Sequence, residues 1–281
     1  MTPQALQAAT ACDARARRPL FLGAVEVGSV AIKHLPALAA LARQHPLLSL
    51  ADEAVHWAGD ADEAALHQIN LSLRDQGLIV AWRDERFAVV DPRSQRLLTH
   101  IERAASRFWG TLSFGAHANG YVTDDDGRPS HLWIARRSPH KATDPGLYDN
   151  LVGGGVAAGQ SPHQALLREA WEEAGLRPAQ LLGLTAAGAL RLRRDIPEGL
   201  QHEWLYVFDV ELPAGLRPSN QDGEVAGFEL LPLKQALDLA CGPLMTVDAA
   251  LVTLDFAQRH GRLPDPELAA GLAALRVVLA N

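Results

Sequence analysis

The sequence predicts an α/β protein of the mixed α+β kind. A three-layer α/β/α sandwich is expected over residues 112–281, preceded by a smaller α+β domain over residues 1–111. Three observations carry this. The stretch EWLYVFDVEL (203–212) alternates apolar and polar residues with the period of two of a half-buried strand. VDAALVTLDFAQRHG (247–261) is a long amphipathic helix with a glycine to stop it. Strands also flank one further helix, over residues 162–174, and strands around a helix with more helices behind them pack as a sheet between helical layers.

Taken in order, residues 2–18 are Ala-rich and turn basic, which suits a helix or a frayed terminus. FLGAVEVGSV (21–30) reads as a strand with a turn. Residues 33–44 place Leu35, Leu38, Ala39 and Ala42 on one helical side, and residues 61–76 read as a second helix. LIVAW (78–82) and FAVVD (87–91) read as a hairpin turning through Arg83, Asp84 and Glu85. Residues 98–108 suggest a third helix, leading into Trp109.

From Leu112 onward, GAHANGYVTDDDGRPSHLWIARRS reads as two strands across a D-D-D-G-R turn. DNLVGGGVAAG then leads into the helix at 162–174. Ser161 is a good N-cap, Pro162 suits the first helical position, Gln164 completes an S-x-x-Q capping box, and Gly175 can close the helix at positive φ. Residues 181–192 suit a strand. Residues 223–240 suit a strand followed by a helix after Pro232, and residues 266–280 one more helix.

A chain of 281 residues with 48% hydrophobic and 21% charged residues has room for two modest domains. Its net charge of −7 argues against general affinity for nucleic acid or anionic membrane, so an anionic substrate would need local cations or metal ions. Two cysteines are too few for a disulfide framework or a four-cysteine zinc site, and fit a reducing cytosol. No apolar run reaches about twenty residues, and the N-terminus lacks a secretory pattern, so a cytoplasmic location is expected.

The chemistry concentrates at residues 153–176. Glu169, Glu172 and Glu173 fall three and four apart, on one face of a helical turn. Like charges so spaced cost about 0.2–0.5 kcal/mol per pair in an isolated helix, so a cation is expected against them. A loop of three glycines, Gly153 to Gly155, is expected before this face, and Gly175 follows it. Together they describe a divalent-metal site that handles phosphate, with a solvated surface helix as the plainer alternative.

This stretch resembles the Nudix box, G-x5-E-x7-R-E-U-x-E-E-x-G-U, where U is a bulky apolar residue. Gly154, Arg168, Glu169, Glu172, Glu173, Gly175 and Leu176 match. Gln160 stands where the family has its first glutamate, and Ala170 is small for the apolar position. Gln160 keeps a carbonyl acceptor but loses the charge, so retained but weakened metal affinity is expected. ERAASRFWG, GAHANGYV, LWIARRSPHKATDPGLYDNLVGGGVAAG and DGEV (222–225) are similar to the thiamine-pyrophosphokinase-related Nudix subgroup, over roughly residues 20–260.

The resemblance implies a Nudix α/β/α fold and an Mg²⁺-dependent pyrophosphohydrolase, with Mn²⁺ as an alternative ion. Its metal ligands would be Glu169, Glu172 and Glu173 with the Gly154 carbonyl, and Arg168 would orient a glutamate. The subgroup implies thiamine diphosphate or its oxidised analogues as substrate. ADP-ribose or a dinucleotide, and a non-catalytic binding module, stand as alternatives. Glu224, in the D-G-E-V turn, is a candidate general base or an acid facing water, and Glu203 is a weaker candidate. His117 and His202 read as surface or satisfied histidines. Arg136, Arg137 and Lys141 form a basic run that could receive phosphate or merely solvate a strand end; Gln160 joins them as a substrate-binding candidate. Trp109, Phe114, Tyr121 and Trp133 could wall a ring-shaped ligand or pack the core. The expected partner is a small-molecule diphosphate, with a homodimer left open.

Overall fold

The computed structural model describes residues 3–59, 63–263 and 265–279. Helix α1 (Gln4–Ala8) is followed by the hairpin β1 (Arg17–Leu22) and β2 (Val25–Ala31), then α2 (Leu35–Ala42), β3 (Leu48–Ala51), β4 (Ala54–Trp57) and α3 (Glu63–Asp75). The strand β5 (Arg86–Val90) pairs with β6 (Leu97–Glu102), and α4 (Arg103–Trp109) closes the first region. The second region contains β7 (Ser113–Thr123), β8 (Pro129–Arg137), β9 (Tyr148–Asp149), β10 (Val152–Gly155) and α5 (Pro162–Ala174). It continues with β11 (Gly188–Ile196), β12 (Gly199–Glu211), β13 (Val225–Pro232), α6 (Leu233–Ala240), α7 (Val247–Arg259), α8 (Pro266–Leu275) and β14 (Arg276–Val277).

The eight-stranded sheet runs β13-β8-β7-β12-β11-β14, with β10 added against β7 and β9 against β8. On one face, α1, α6, α7 and α8 cover Leu132, Ile134, Leu190, Leu205 and Val207. On the other, α5 lays Ala165, Leu166, Ala170 and Ala174 over Ala116, Ala118, Val152 and Phe208. Three of those four α5 contacts are alanines, which lets the helix backbone approach the sheet closely. Ala170, the small residue at the motif's apolar position, is fully buried there. The expected α/β/α layering is present.

The first region departs from the expected elements in several places. LIVAW is not a strand. Gly77 and Ala81 have φ of 73° and 60°, which breaks any ladder, and Ile79 is instead a buried anchor of an irregular segment. A short apolar run cannot distinguish these by periodicity. The true hairpin is β5–β6, whose turn is held by Asp91 accepting from the Arg93 backbone at 2.9 Å and from Ser94 Oγ at 2.7 Å. The helix expected from residue 98 starts only at Arg103, where Glu102 caps it. The β3–β4 hairpin, turning through Asp52 and Glu53 at positive φ, had no counterpart in the expected elements. Further on, β11 starts seven residues late, at Gly188: the 3-10 turn over 178–181 ends at Leu181 and Gly183 has φ of 75°. The last helix stops at Leu275, and β14 pairs with β11. The expected starts near residues 2 and 61 and the end at 280 lie outside the described residues.

The first region has its own core around Trp57, Phe108 and Trp109, the two tryptophans meeting edge to face at 4.9 Å. Trp109 Nε1 donates to Asn70 at 2.8 Å. The two cores are joined at Gly110, which ends α4 at φ 63°, ψ 29°. A Cβ there would stand 2.5 Å from the Ser29 carbonyl oxygen. Buried Arg17 also spans the junction, donating to Ser29 Oγ and to Asp195 Oδ1, each at 2.9 Å. Gly110→Ala therefore meets both a left-handed backbone and a clash, and should cost about 1–3 kcal/mol. A urea unfolding curve indistinguishable from that of the wild type would contradict this reading of the junction.

Candidate active site

Local chemistry builds α5 as the sequence suggested. Ser161 Oγ accepts from the Gln164 backbone at 3.2 Å while Gln164 Oε1 accepts from the Ser161 backbone at 2.8 Å, and Gly175 closes the helix at φ 66°. The helix lies on β10, so the three glycines form a strand and not the expected loop. Gly153 N–H donates to Glu173 Oε2 at 2.9 Å. A Cβ on Gly154 would fall 2.1 Å from the Glu169 carboxyl carbon, so only glycine leaves that carboxylate its place. Glu169 and Glu173 are buried, and Glu172 is partly open to solvent.

Cations divide the carboxylates into two groups. Arg168 pairs with Glu169 at 2.9 Å and with Glu172 at 3.0 Å, and donates to the Gly155 carbonyl at 3.3 Å. Lys141, its side chain buried, bridges Glu173 at 3.6 Å and Glu224 in a closer ion pair. Arg83 reaches across from the first region to Glu224 at 3.0 Å. Burial raises the Glu169 carboxyl above the usual carboxylate range despite Arg168 and Arg103. Burial pushes Glu173 up to about 8, against the opposing pull of Lys141 and the Gly153 N–H. Burial acts on Glu224 as well, but Lys141 and Arg83 outweigh it and hold that carboxyl at about 2.

The other expected site residues fare differently. Arg137 is committed to structure: it pairs with Asp149 at 2.7 Å and donates to the Thr143 and Asp144 carbonyls, pinning the 138–149 segment. Arg136, its neighbour on a strand, points to the opposite face, over Tyr148 at 5.6 Å, because successive strand residues alternate. Arg137 is thus taken up by its own segment and Arg136 lies on the face away from α5, whereas Lys141 lies among the carboxylates. Gln160 packs beside the helix start, its Oε1 buried without a hydrogen-bond partner. Glu203 falls on the strand face occupied by Leu205 and Val207, away from α5, and hydrogen-bonds Gln201 at 2.9 Å. His117 Nδ1 lies 3.1 Å from Asn150 Oδ1, a satisfied core histidine, and burial lowers His202 to about 4. Among the aromatic candidates, Trp109 belongs to the first core and Tyr121 packs on Phe256. Trp133 and half-buried Phe114 pack in the α5-side core.

The donor set is all oxygen, which suits a hard divalent ion such as Mg²⁺ or Mn²⁺. Burial that opposes ionisation of Glu169 and Glu173 is the electrostatic demand that such an ion meets. The expected ready-made trio is nonetheless not what the side chains form. Among the described residues, no three His, Cys, Asp or Glu side chains are grouped so as to hold a metal ion. Arg168 and Lys141 take the carboxylate oxygens as internal counter-cations.

Several residues at this site were not expected from sequence. The first region brings Arg83, Glu85, Phe87 and Arg103 against it. Arg103 pairs with Glu85 at 2.7 Å, and Glu85 lies 4.0 Å from Arg168. A Cβ on Gly155 would fall 2.6 Å from the Phe87 ring and 3.2 Å from the Arg103 guanidinium. No motif spacing marks these residues, since Arg83 and Glu224 are 141 positions apart. Only the R-D-E run at 83–85, read as a hairpin turn, hinted at a charged protrusion.

Residues 114–249 match the family model described as the NUDIX domain. The chain is 36% identical over 190 residues to "Nudix hydrolase 20, chloroplastic" of Arabidopsis thaliana, covering 67% of this chain and 50% of that protein. It is 35% identical over 199 residues to "Nudix hydrolase 24, chloroplastic" of the same plant, covering 70% and 54%. It thus spans about half the length of these relatives. It is also 32% identical over 160 residues to "Isopentenyl-diphosphate Delta-isomerase" of Leifsonia xyli, covering 54% of this chain and 82% of that protein. Among the described residues, no helix is long and apolar enough to cross a membrane. The glycine strand, the acidic helix and Glu224 all lie inside the matched span, so residues 114–249 carry a NUDIX domain.

Proposed function

We propose that the chain is a divalent-metal-dependent pyrophosphohydrolase of a small organic diphosphate. The observation that carries this is the acidic face of α5, with Glu169 and Glu173 buried against a strand of glycines. Glu169, Glu172 and Glu173 would hold the ion, with the Gly154 carbonyl as a further oxygen donor. The relatives named as Nudix hydrolases support hydrolysis of a phosphoanhydride bond. Thiamine diphosphate or an oxidised analogue is the substrate of choice, on the strength of the sequence resemblance.

In the reaction, water adds to phosphorus, the bridging P–O bond breaks, and the products are the organic monophosphate and inorganic phosphate. A bound Mg²⁺ supplies charge stabilisation at the phosphoryl oxygens. Lys141 and Arg83, which now neutralise Glu224, would turn to an incoming phosphate. Exchange of those partners would free Glu224 to accept the proton of the attacking water. Arg168 keeps Glu169 and Glu172 in place through its paired contacts.

The expected outcome for Glu172→Gln and for Glu173→Gln is a fall in Mg²⁺-dependent phosphate release of at least about 100-fold. That is the upper end of what losing a metal's outer-shell partner costs. Circular dichroism should stay native. Near-wild-type turnover in both variants would refute the site. Gln160→Glu should be tolerated and should lower the Mg²⁺ concentration needed for half-maximal rate, since it adds a charge where an acceptor now has no donor. A titration that does not move, or a loss of rate, would show that Gln160 serves another purpose.

A further inference from the structure

Beside the carboxylates, a cavity of about 470 Å³ opens between the two regions. Its volume is in the range of small-ligand sites. Its charged lining is Lys141, Asp222 and Glu224 from the second region and Arg83 from the first. Its apolar lining includes Trp82 and Ala81 of the first region and Ala142. None of the aromatic residues expected from sequence lines it.

The Trp82 wall is held firmly. Its indole Nε1 donates to Asp84 Oδ1 at 2.7 Å. The Arg74 guanidinium lies 5.0 Å from the ring centroid, and His67 meets the ring edge-on at 5.7 Å. The backbone is over-determined as well. Ala81 and Asp84, neither of them glycine, have φ of 60° and 57°, and the Arg83 N–H is fixed by Glu102 Oε1 at 2.9 Å. Strained non-glycine backbone persists where the surroundings impose it, and it concentrates at ligand sites. A pinned aromatic ring recognises a flat ring at small entropic cost.

We propose that the segment Ala81–Asp84 of the first region forms the outer wall of the substrate pocket, with Trp82 stacking on a flat ring in the organic half of the diphosphate while Arg83 and Lys141 take its phosphates. This rests on the diphosphate reading above and adds to it a ring-recognition residue outside the NUDIX domain. The first region is then part of the specificity determinant.

The test is isothermal titration calorimetry on full-length protein with Ca²⁺ as the divalent ion, using thiamine diphosphate, ADP-ribose and ring-free ethyl diphosphate. Wild type should prefer at least one ring-bearing ligand over ethyl diphosphate. Trp82→Ala should cut that preference at least tenfold, and Trp82→Phe should restore it to within about threefold of wild type, as a stacking role requires. An unchanged preference in Trp82→Ala overturns the proposal, as does wild type that prefers neither ring-bearing ligand. Equal loss in the Ala and Phe variants also overturns it, because that marks a structural role. A separate phosphate-release assay on wild type with Mg²⁺ reports on the hydrolase reading alone. Turnover together with an indifferent Trp82 would sink only this inference.

Discussion

Burying acid against backbone is the constraint on which the rest of the site depends. Glu169 and Glu173 sit under α5 on a strand of glycines, where desolvation opposes their ionisation. Such groups need protons, donors or cations. The protein supplies the Gly153 N–H, Arg168 and Lys141. The alanine stripe of α5 makes the burial possible by letting the helix settle close to the sheet. The glycines leave room for the carboxylates to follow it down, since a single methyl on Gly154 would occupy the position of Glu169.

The same constraint links the two regions. Arg103 lowers the cost of charge on Glu169 and Arg83 that on Glu224, and both come from the first region. Their segments are themselves fixed by Glu102, which holds the Arg83 N–H and caps α4. A region with no catalytic motif of its own therefore contributes charge to the acidic site and walls the cavity beside it. Gly110 and Arg17 keep the junction rigid enough for that placement.

Helix α5, its capping box, its glycine stop and its carboxylate face were legible in the sequence because each is set by residues within a few positions of one another. So were β7, β8, β13, α6 and α7, whose periodicities are long or strongly bounded. LIVAW is ambiguous in sequence because an apolar run of five fits either a strand or a buried loop, and the positive φ of Ala81 leaves no trace in composition. Arg136 and Arg137 looked equivalent as a basic run, yet strand alternation sends them to opposite faces. The contacts of Arg83, Arg103 and Trp82 depend on how two cores dock, and no local spacing encodes that.

The most direct measurement is Mn²⁺ binding by electron paramagnetic resonance, free of any choice of substrate. The wild type is expected to show one or more saturable sites that weaken strongly in Glu169→Gln, while Glu203→Gln, on the other face of the sheet, binds as the wild type does. Binding that does not saturate, or that is indifferent to Glu169, would contradict the claim that the buried acidic face of α5 exists to hold a divalent ion.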